Sequence, residues 1–450
     1  MRAWLIRRML KLFRRVSRFS LWFETRFTST GRLVIAGTVA AAIFGVDPNQ
    51  TAALQLAAVL LGIIAVAITV SLRWQPKLEL KRTLPDTVTV GSATLYYILV
   101  TNNSDRTQRD LVLSDHLQTR YPTADMFRQQ RTDGREKYLN WFDRRIGFPR
   151  WLNLLRLGRG ARLASISVPP IPARSTITVS IPLLPLRRGK LIFTEILVKR
   201  PDPLGIFFAK HQQKLYDEAV SLPKRYPLAP SNWVSERHFH HGGLTRAAAV
   251  GDSEEFIGLR EYRPGDPLRH IHWRSFAKRG SPVVNEYQDE YFDRHALVID
   301  TFIGSAPPSN FEAVISIAAS FIQTTRPSDS ILDLAFIEQQ MWQLTTGRGI
   351  SDNRQVLMQL AEVQPSNADE FSDLAAYLRR HAERLASVIM VCTIWDGARQ
   401  ACLEELQSRR LRCLGLLVGE SEAVVEPNAG LTLHRIRPSL IERDIAAMAS

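Results

Sequence analysis

The chain is predicted to be an α+β multidomain protein: an N-terminal two-helix transmembrane hairpin, a small β-sandwich, and then an α/β domain with a mostly parallel sheet. Three observations predict this. Two long apolar runs stand close together near the N-terminus. From Leu78 the apolar residues recur with a period of two, in short stretches closed by turn residues. After His295, buried-type strands alternate with amphipathic helices. The 450 residues suffice for two or three domains besides an anchor, and 45% hydrophobic with 23% charged residues excludes a disordered or wholly membrane-embedded chain.

The anchor comprises residues 1–75. Residues 28–46 are apolar beyond Arg32, Asp47-Pro48-Asn49-Gln50 interrupts with turn chemistry, and residues 51–72 form the second run. Each approaches the ~20 residues that cross ~30 Å of hydrocarbon. In lipid a backbone must satisfy its own hydrogen bonds, so two spans with a short link make a helical hairpin. Neither run has a polar stripe, which weighs against a pair of buried core helices. Arginines and Lys11 crowd the lead before the first span against Glu24 alone, and Arg73, Lys77, Lys81 and Arg82 follow the second. The positive-inside rule then places both termini and the main body in the cytoplasm, at the inner (cytoplasmic) membrane. In the lead, Trp4, Ile6, Met9, Leu10, Phe13 and Val16 interleave with arginines at roughly helical spacing. That pattern fits a helix in the headgroup plane of an anionic leaflet, or a solvated basic tail that only sets topology.

A formal net charge of +14 and a pI near 10.0 suit anionic partners: lipid headgroups, nucleic acid or an acidic protein. The three cysteines, Cys392, Cys402 and Cys413, form no CxxC pair, which fits a reducing compartment and argues against a disulfide framework.

Residues 76–225 are predicted to form the sandwich, with strands at Thr87–Val90, Leu95–Thr101, Ile177–Ile181 and Leu191–Val198. A basic, aromatic insertion, residues 121–163, breaks the pattern. It would rest on the membrane surface through Trp141, Arg144, Arg145, Arg150 and Trp151. Two other readings stay open: its apolar side packs on the sandwich, or arginines meet phosphate while aromatics stack on bases.

Residues 295–450 carry the α/β rhythm. Strands are expected at Ala296–Ile299, Ile331–Ile337, Val388–Ile394 and Leu414–Val418. Helices are expected at Phe311–Ile322 with Ser309 as N-cap, from Ser351 to Glu362, at Phe371–Leu385 and at Ala398–Gln407. Ligands of such sheets sit at the carboxyl ends of the strands, where Asp300 and Asp396 fall.

Between these regions, residues 226–294 hold the most distinctive stretch: Arg260-Glu261-Tyr262, then Gly265-Asp266, Arg269 and Ile271-His272-Trp273, with Glu286 later. Pro264-Gly265 makes a turn. Asp266 is expected to N-cap a helix that starts at Pro267 and ends at Gly280, with Arg269 and Trp273 paired on one face. These residues, with Asp202-Pro203-Leu204-Gly205-Ile206-Phe207 upstream, resemble the bacterial domain-of-unknown-function family 58 (DUF58). The resemblance implies no established activity, a C-terminal part similar to von Willebrand factor A domains, and association with MoxR-type AAA+ ATPases. The motif residues Arg260, Glu261, Tyr262, Gly265, Asp266, Arg269, His272 and Trp273 would then form the partner-docking segment.

The von Willebrand A comparison implies a Mg²⁺ site of the form Asp-x-Ser-x-Ser. Here the positions read Asp300, Phe302 and Gly304, so both hydroxyl ligands are missing, and Asp300 with Asp396 could hold only a weak, degenerate metal site. His238, His240 and His241 cluster in a way that suits Zn²⁺ only weakly. Glu261, Asp266 or Glu286 could serve a carboxylate hydrolase acting on envelope or sugar substrates; pairing with the motif arginines is the plainer role. No glycine-rich phosphate loop or Gly-x-Ser-x-Gly elbow occurs. The leading expectation is a non-enzymatic membrane scaffold whose motif and α/β domain dock a cytoplasmic partner. A hydrolase, and a basic nucleic-acid- or lipid-binding protein, are the rivals.

Overall fold

The computed structural model describes residues 3–45, 51–129, 140–228, 254–266, 268–289, 293–324, 330–337, 341–346, 353–366, 368–420 and 431–448. The expectations for residues 47–50, Pro267, the histidines at 238, 240 and 241, and Ser351 lie outside them. The chain is a mixed α+β protein that divides into two compact units, Met1–Lys224 and Arg225–Ser450.

The first unit opens with three helices: α1 (Ala3–Arg26), α2 (Ser29–Phe44) and α3 (Thr51–Leu72). With no glycine or proline to break it, α1 runs the whole length of the basic lead. Thr28 separates it from α2 and caps the latter, its hydroxyl accepting from the Gly31 amide at 2.9 Å. Gly37 of α2 faces Leu60 of α3, and Gly45 faces Leu54, so the two helices run antiparallel. Ala52–Leu72 is long and apolar enough to cross a membrane; α2, expected to span residues 28–46, is apolar but has only 16 residues.

The sandwich is built from β1 (Leu78–Thr83), β2 (Thr87–Thr89), β3 (Thr94–Asn102) and β4 (Leu111–Leu117). The insertion helices α4 (Ala124–Gln129), α5 (Trp141–Ile146) and α6 (Phe148–Gly158) follow. Then come β5 (Ala161–Leu163), β6 (Ile166–Val168), β7 (Thr176–Pro185), β8 (Gly189–Pro201) and β9 (Phe208–Leu222). The sheets β1-β3-β7-β5 and β2-β9-β8-β4-β6 face each other across one core. Tyr96, Ile98 and Val100 of β3 point into it, as do Phe193, Ile196 and Val198 of β8, while Leu95 and Tyr97 point out.

One charged group joins the two sheets inside that core. Arg82 of β1 donates from Nε and Nη2 to Asp115 of β4 at 2.8 and 2.7 Å, and from Nη1 to Asp217 of β9 at 2.7 Å. The Tyr96 hydroxyl donates to the same Asp115 at 2.7 Å. Burial, then Asp115, pushes the tyrosine pKa well above its ordinary value.

The insertion packs mainly on α1. Ile6 and Phe13 of α1 share a buried cluster with Phe127, Trp151, Leu154 and Leu155, and Trp151 Nε1 donates to Ser17 Oγ at 2.8 Å. Two amphipathic segments, each with an apolar side to cover, cover one another.

The second unit begins with a hairpin of β10 (Glu254–Glu261) and β11 (Val283–Asp289), with α7 (Trp273–Arg279) between them. A six-stranded sheet follows, made of β12 (Asp293–Ile299), β13 (Ser330–Ile337), β14 (Met341–Thr346), β15 (Ser387–Cys392), β16 (Arg412–Val418) and β17 (Thr432–Ile436). The order is β14-β13-β12-β15-β16-β17; every pairing is parallel except β13 with β14. The helices are α8 (Pro308–Thr324), α9 (Asn353–Glu362), α10 (Phe371–His381), α11 (Gly397–Ser408) and α12 (Ile441–Ala447). On one face α10 and α11 bury Ala296, Val298, Val388 and Met390; α8 packs against β12, β15 and β16. The expected helix at Phe311 starts earlier, at Pro308, whose fixed φ suits a first turn and whose missing N–H is no loss there. Ser309 is therefore inside the helix and does not cap it.

Candidate functional site

Two places gather the residues singled out from the sequence: the hairpin of the motif, and the carboxyl ends of the parallel strands.

In the motif hairpin, Arg260 of β10 grips Asp266 with both terminal nitrogens, at 2.7 and 2.8 Å. Asp266 also accepts the Arg263 amide at 2.8 Å. The hydrogen bond from Arg260, then that amide, hold its carboxyl at about 2. Gly265 takes φ 110°, a conformation only glycine adopts readily, which turns the chain back so that Asp266 can reach Arg260. Tyr262 is half-buried and its amide donates to Pro282 O at 3.0 Å; Glu261, opposite Val283, is exposed.

This geometry corrects the expected helix. Asp266 does not cap it. Its carboxylate is engaged by Arg260, and Leu268–His270 makes only a single tight turn. Ile271 then bridges to Val284, and His272 N–H donates to Val283 O at 2.8 Å, drawing the chain onto β11. The helix starts at Trp273, with His272 as N-cap: its ring accepts from Ser275 N–H. Gly280, at φ 72°, closes it as expected. Because residues 269–273 are not one helix, Arg269 and Trp273 do not share a face. Arg269 Nε donates to the His270 ring at 3.1 Å, and Trp273 meets Phe276 edge-on with ring centroids 6.2 Å apart. The result is an apolar set turned outward: Leu259, Leu268 (67% exposed), Trp273 (63%) and Phe276.

At the strand ends, Asp300 follows β12 and Asp396 caps α11, just after β15. Both carboxylates close on one side chain, Arg399, which has no exposed surface. Arg399 Nε meets Asp300 at 2.7 Å, Nη1 meets Asp396 at 2.5 Å, and Nη2 meets Asp369, at the start of α10, at 3.0 Å. The guanidinium lies 4.7 Å above the Phe371 ring. Burial pushes the Asp300 carboxyl up against the opposing pull of Arg399. Burial pulls Arg399 down, but its hydrogen bond and charge contact with Asp300, then Asp369 and Asp396, outweigh it and raise the pKa overall.

These residues do not fit a divalent ion. Each carboxylate already gives an oxygen to the guanidinium, and the Thr301 hydroxyl donates to Ile337 O. Among the described residues no three or more His, Cys, Asp or Glu side chains are grouped to hold a metal. Sequence reasoning missed Arg399 and Asp369. One signal was present: an arginine three residues after the N-cap Asp396, where the first helical turn brings it back over that carboxylate.

Of the insertion residues, Trp141, Arg144 and Arg145 are exposed, with Arg145 over the Trp141 ring at 5.7 Å. Arg150 and Trp151 are buried, Arg150 over Phe127 at 4.9 Å. The Asp202–Phe207 turn does separate work. Asp202 accepts the Leu204, Ile206 and Phe207 amides, and the carbonyls of Gly205 and Ile206 receive the Thr28 hydroxyl and amide at the head of α2.

Over 206 residues the chain is 24% identical to the uncharacterized protein YeaD of Bacillus subtilis (strain 168), an alignment that covers 45% of this chain and 50% of the relative. The chain thus spans about half the length of the curated relative it matches. Among solved structures, an alpha-2-macroglobulin from Salmonella aligns at TM-score 0.18 and 13% identity, over 32% of this chain and 7% of that one. A PapD-like domain of human CEP192 aligns at 0.17 and 15%, over 33% and 86%. Neither likeness is close enough to bear on the fold. The match that bears on the site is to the family described as "Protein of unknown function DUF58", which covers residues 258–431 and so takes in most of the motif hairpin and all four residues of the strand-end cluster.

Proposed function

We propose that this is a membrane-anchored interaction protein whose motif hairpin docks a cytoplasmic partner. The carrying observation is the outward apolar set Leu259, Leu268, Trp273 and Phe276, displayed by a motif whose Arg260 and Asp266 pair with each other. Clustered exposed aromatics mark interaction surfaces, and tryptophans carry disproportionate binding energy in them. The DUF58 resemblance supplies the class of partner, a MoxR-type AAA+ ATPase. The mostly parallel sheet with helices on both faces supports reading residues 295–450 as von Willebrand A-like.

For the anchor, α2 and α3 form a hairpin through the inner membrane with both termini in the cytoplasm. The support is their outward apolar surface, which includes Leu33, Val39, Ile43, Leu54, Leu61 and Val66 and which water would not tolerate, together with the basic flanks. The hydrolase reading loses one of its acids. Held at about 2, Asp266 is ionised at neutral pH and cannot donate a proton there.

The test is co-purification of the full chain from its native membranes after gentle crosslinking, repeated with Trp273→Ala and Phe276→Ala. The expected outcome is a stoichiometric AAA+ ATPase that both substitutions release while the melting temperature holds. Retention of the ATPase by both variants, or a fall in melting temperature that accompanies its release, counts against docking through this surface.

A further inference from the structure

We infer that Arg399 is the resident cation of the α/β unit. Its guanidinium is the positive charge that the strand-end carboxylates share, and it leaves no place among them for a metal ion.

Three carboxylates reach one guanidinium from three elements. Asp300 comes from the end of β12, Asp369 from the approach to α10, and Asp396 from the head of α11. Three like charges that converge at a partly buried point need a positive partner, or they take up protons or push apart. Arg399 supplies it with one nitrogen per carboxylate, at 2.7, 3.0 and 2.5 Å. A planar fork is well suited to such a task, and unlike a bound ion it cannot be removed by a chelator.

An incoming divalent ion would have to displace a side chain with no exposed surface that is stacked over Phe371, and would leave a buried guanidinium without its counter-charges. The site therefore has no open coordination position through which a partner's acidic group could complete a metal shell. Asp369 and Asp396 keep side-chain exposures of 42% and 41%, so what the face offers a partner is the outer side of two fixed carboxylates.

The experiment uses the purified full-length protein in detergent, with melting temperature read in excess EDTA and then in millimolar Mg²⁺ or Mn²⁺. The wild-type protein is expected to melt at the same temperature in both. Arg399→Gln removes the charge and opens the trio. It is expected to melt lower in EDTA, and to recover by several degrees with Mn²⁺ but not with monovalent salt of equal ionic strength. Adding Asp300→Asn to Arg399→Gln should abolish that recovery. A divalent-dependent shift in the wild-type protein, or an Arg399→Gln protein that folds yet gains no divalent response, overturns the inference. Where Arg399→Gln does not fold, Mn²⁺ titration of the wild-type protein by electron paramagnetic resonance decides. Saturable binding that Asp300→Asn removes overturns the inference, and no such binding supports it.

Discussion

Arg82 and Arg399 answer one problem in two different cores. Each is an arginine without solvent around its charged end, and each is made tolerable by carboxylates aimed at separate nitrogens. Removing one member of such a buried set leaves the others uncompensated, which typically costs about 3–5 kcal/mol. Arg82→Met is therefore expected to destabilise the protein by about that amount in urea unfolding, and Asp115→Leu in the Arg82→Met background to restore part of it. The sequence showed Arg82 only as one of the basic residues flanking the second apolar run. Its real place was legible in the alternation: Leu78, Leu80 and Arg82 share one side of β1, and that side is buried. Asp266 carries a prediction of a different kind. Its pKa is depressed from 3.8 to about 2, so the Arg260 bond contributes fully above the unfolded value and is lost as pH falls through the folded one. The hairpin should thus loosen between about pH 4 and pH 2, seen as shifted Trp273 indole resonances. Asp266→Asn should show the loosened signal already at neutral pH and little change over that window.

Among the elements, α1 and the insertion helices were each legible as amphipathic, but their mutual packing was not. Hydrophobic spacing names a face without naming what covers it. The insertion has a covered side and an open one: Trp151 and Arg150 lie inside, Trp141 and Arg145 outside. Trp151→Ala should cost about 3–5 kcal/mol of local stability, measured as lost hydrogen-exchange protection in α1 and α6 together. A chain that begins at residue 76 would bare Phe127, Trp151, Leu154 and Leu155, and is expected to aggregate where the full chain in detergent stays dispersed. Gly31 is the sharpest test of the joint between α2 and the Asp202–Phe207 turn. A Cβ at that position would sit 2.0 Å from the Ile206 carbonyl oxygen. Gly31→Ala should therefore displace the turn, read as protease cleavage near Leu204. The motif helix shows where local signals mislead. Asp266, Pro267 and Gly280 all fit the ends of one helix, but a carboxylate claimed by Arg260 and a strand that captures His272 shorten it from the front.

For the molecule as a whole, the change of rhythm along the chain was enough to read an α+β protein with helices first and sheets after. The central parallel strands β12, β13, β15 and β16 were legible because strands buried on both faces are continuous apolar runs. The edge strands β14 and β17 were not. Met341-Trp342-Gln343-Leu344 and Thr432-Leu433-His434-Arg435 mix polar and apolar residues, since an edge strand has less to bury. Of the strand-end site, its position and two of its four members were legible. The cation at its centre was not, because an arginine on a helix reads as solvated until the fold turns it inward.

The joint at Thr28 has a consequence in time. The two sides of that clasp are 178 residues apart in the chain. At ~5–20 residues per second of synthesis, the first side waits roughly 10–35 s before the second leaves the ribosome. Throughout that interval the head of α2 is a half-made socket, with the Thr28 amide and the groove at Gly31 open to whatever attends the newborn chain. The angle at which the helices leave the sandwich is therefore settled late, by a six-residue turn that arrives after most of the first unit has been made.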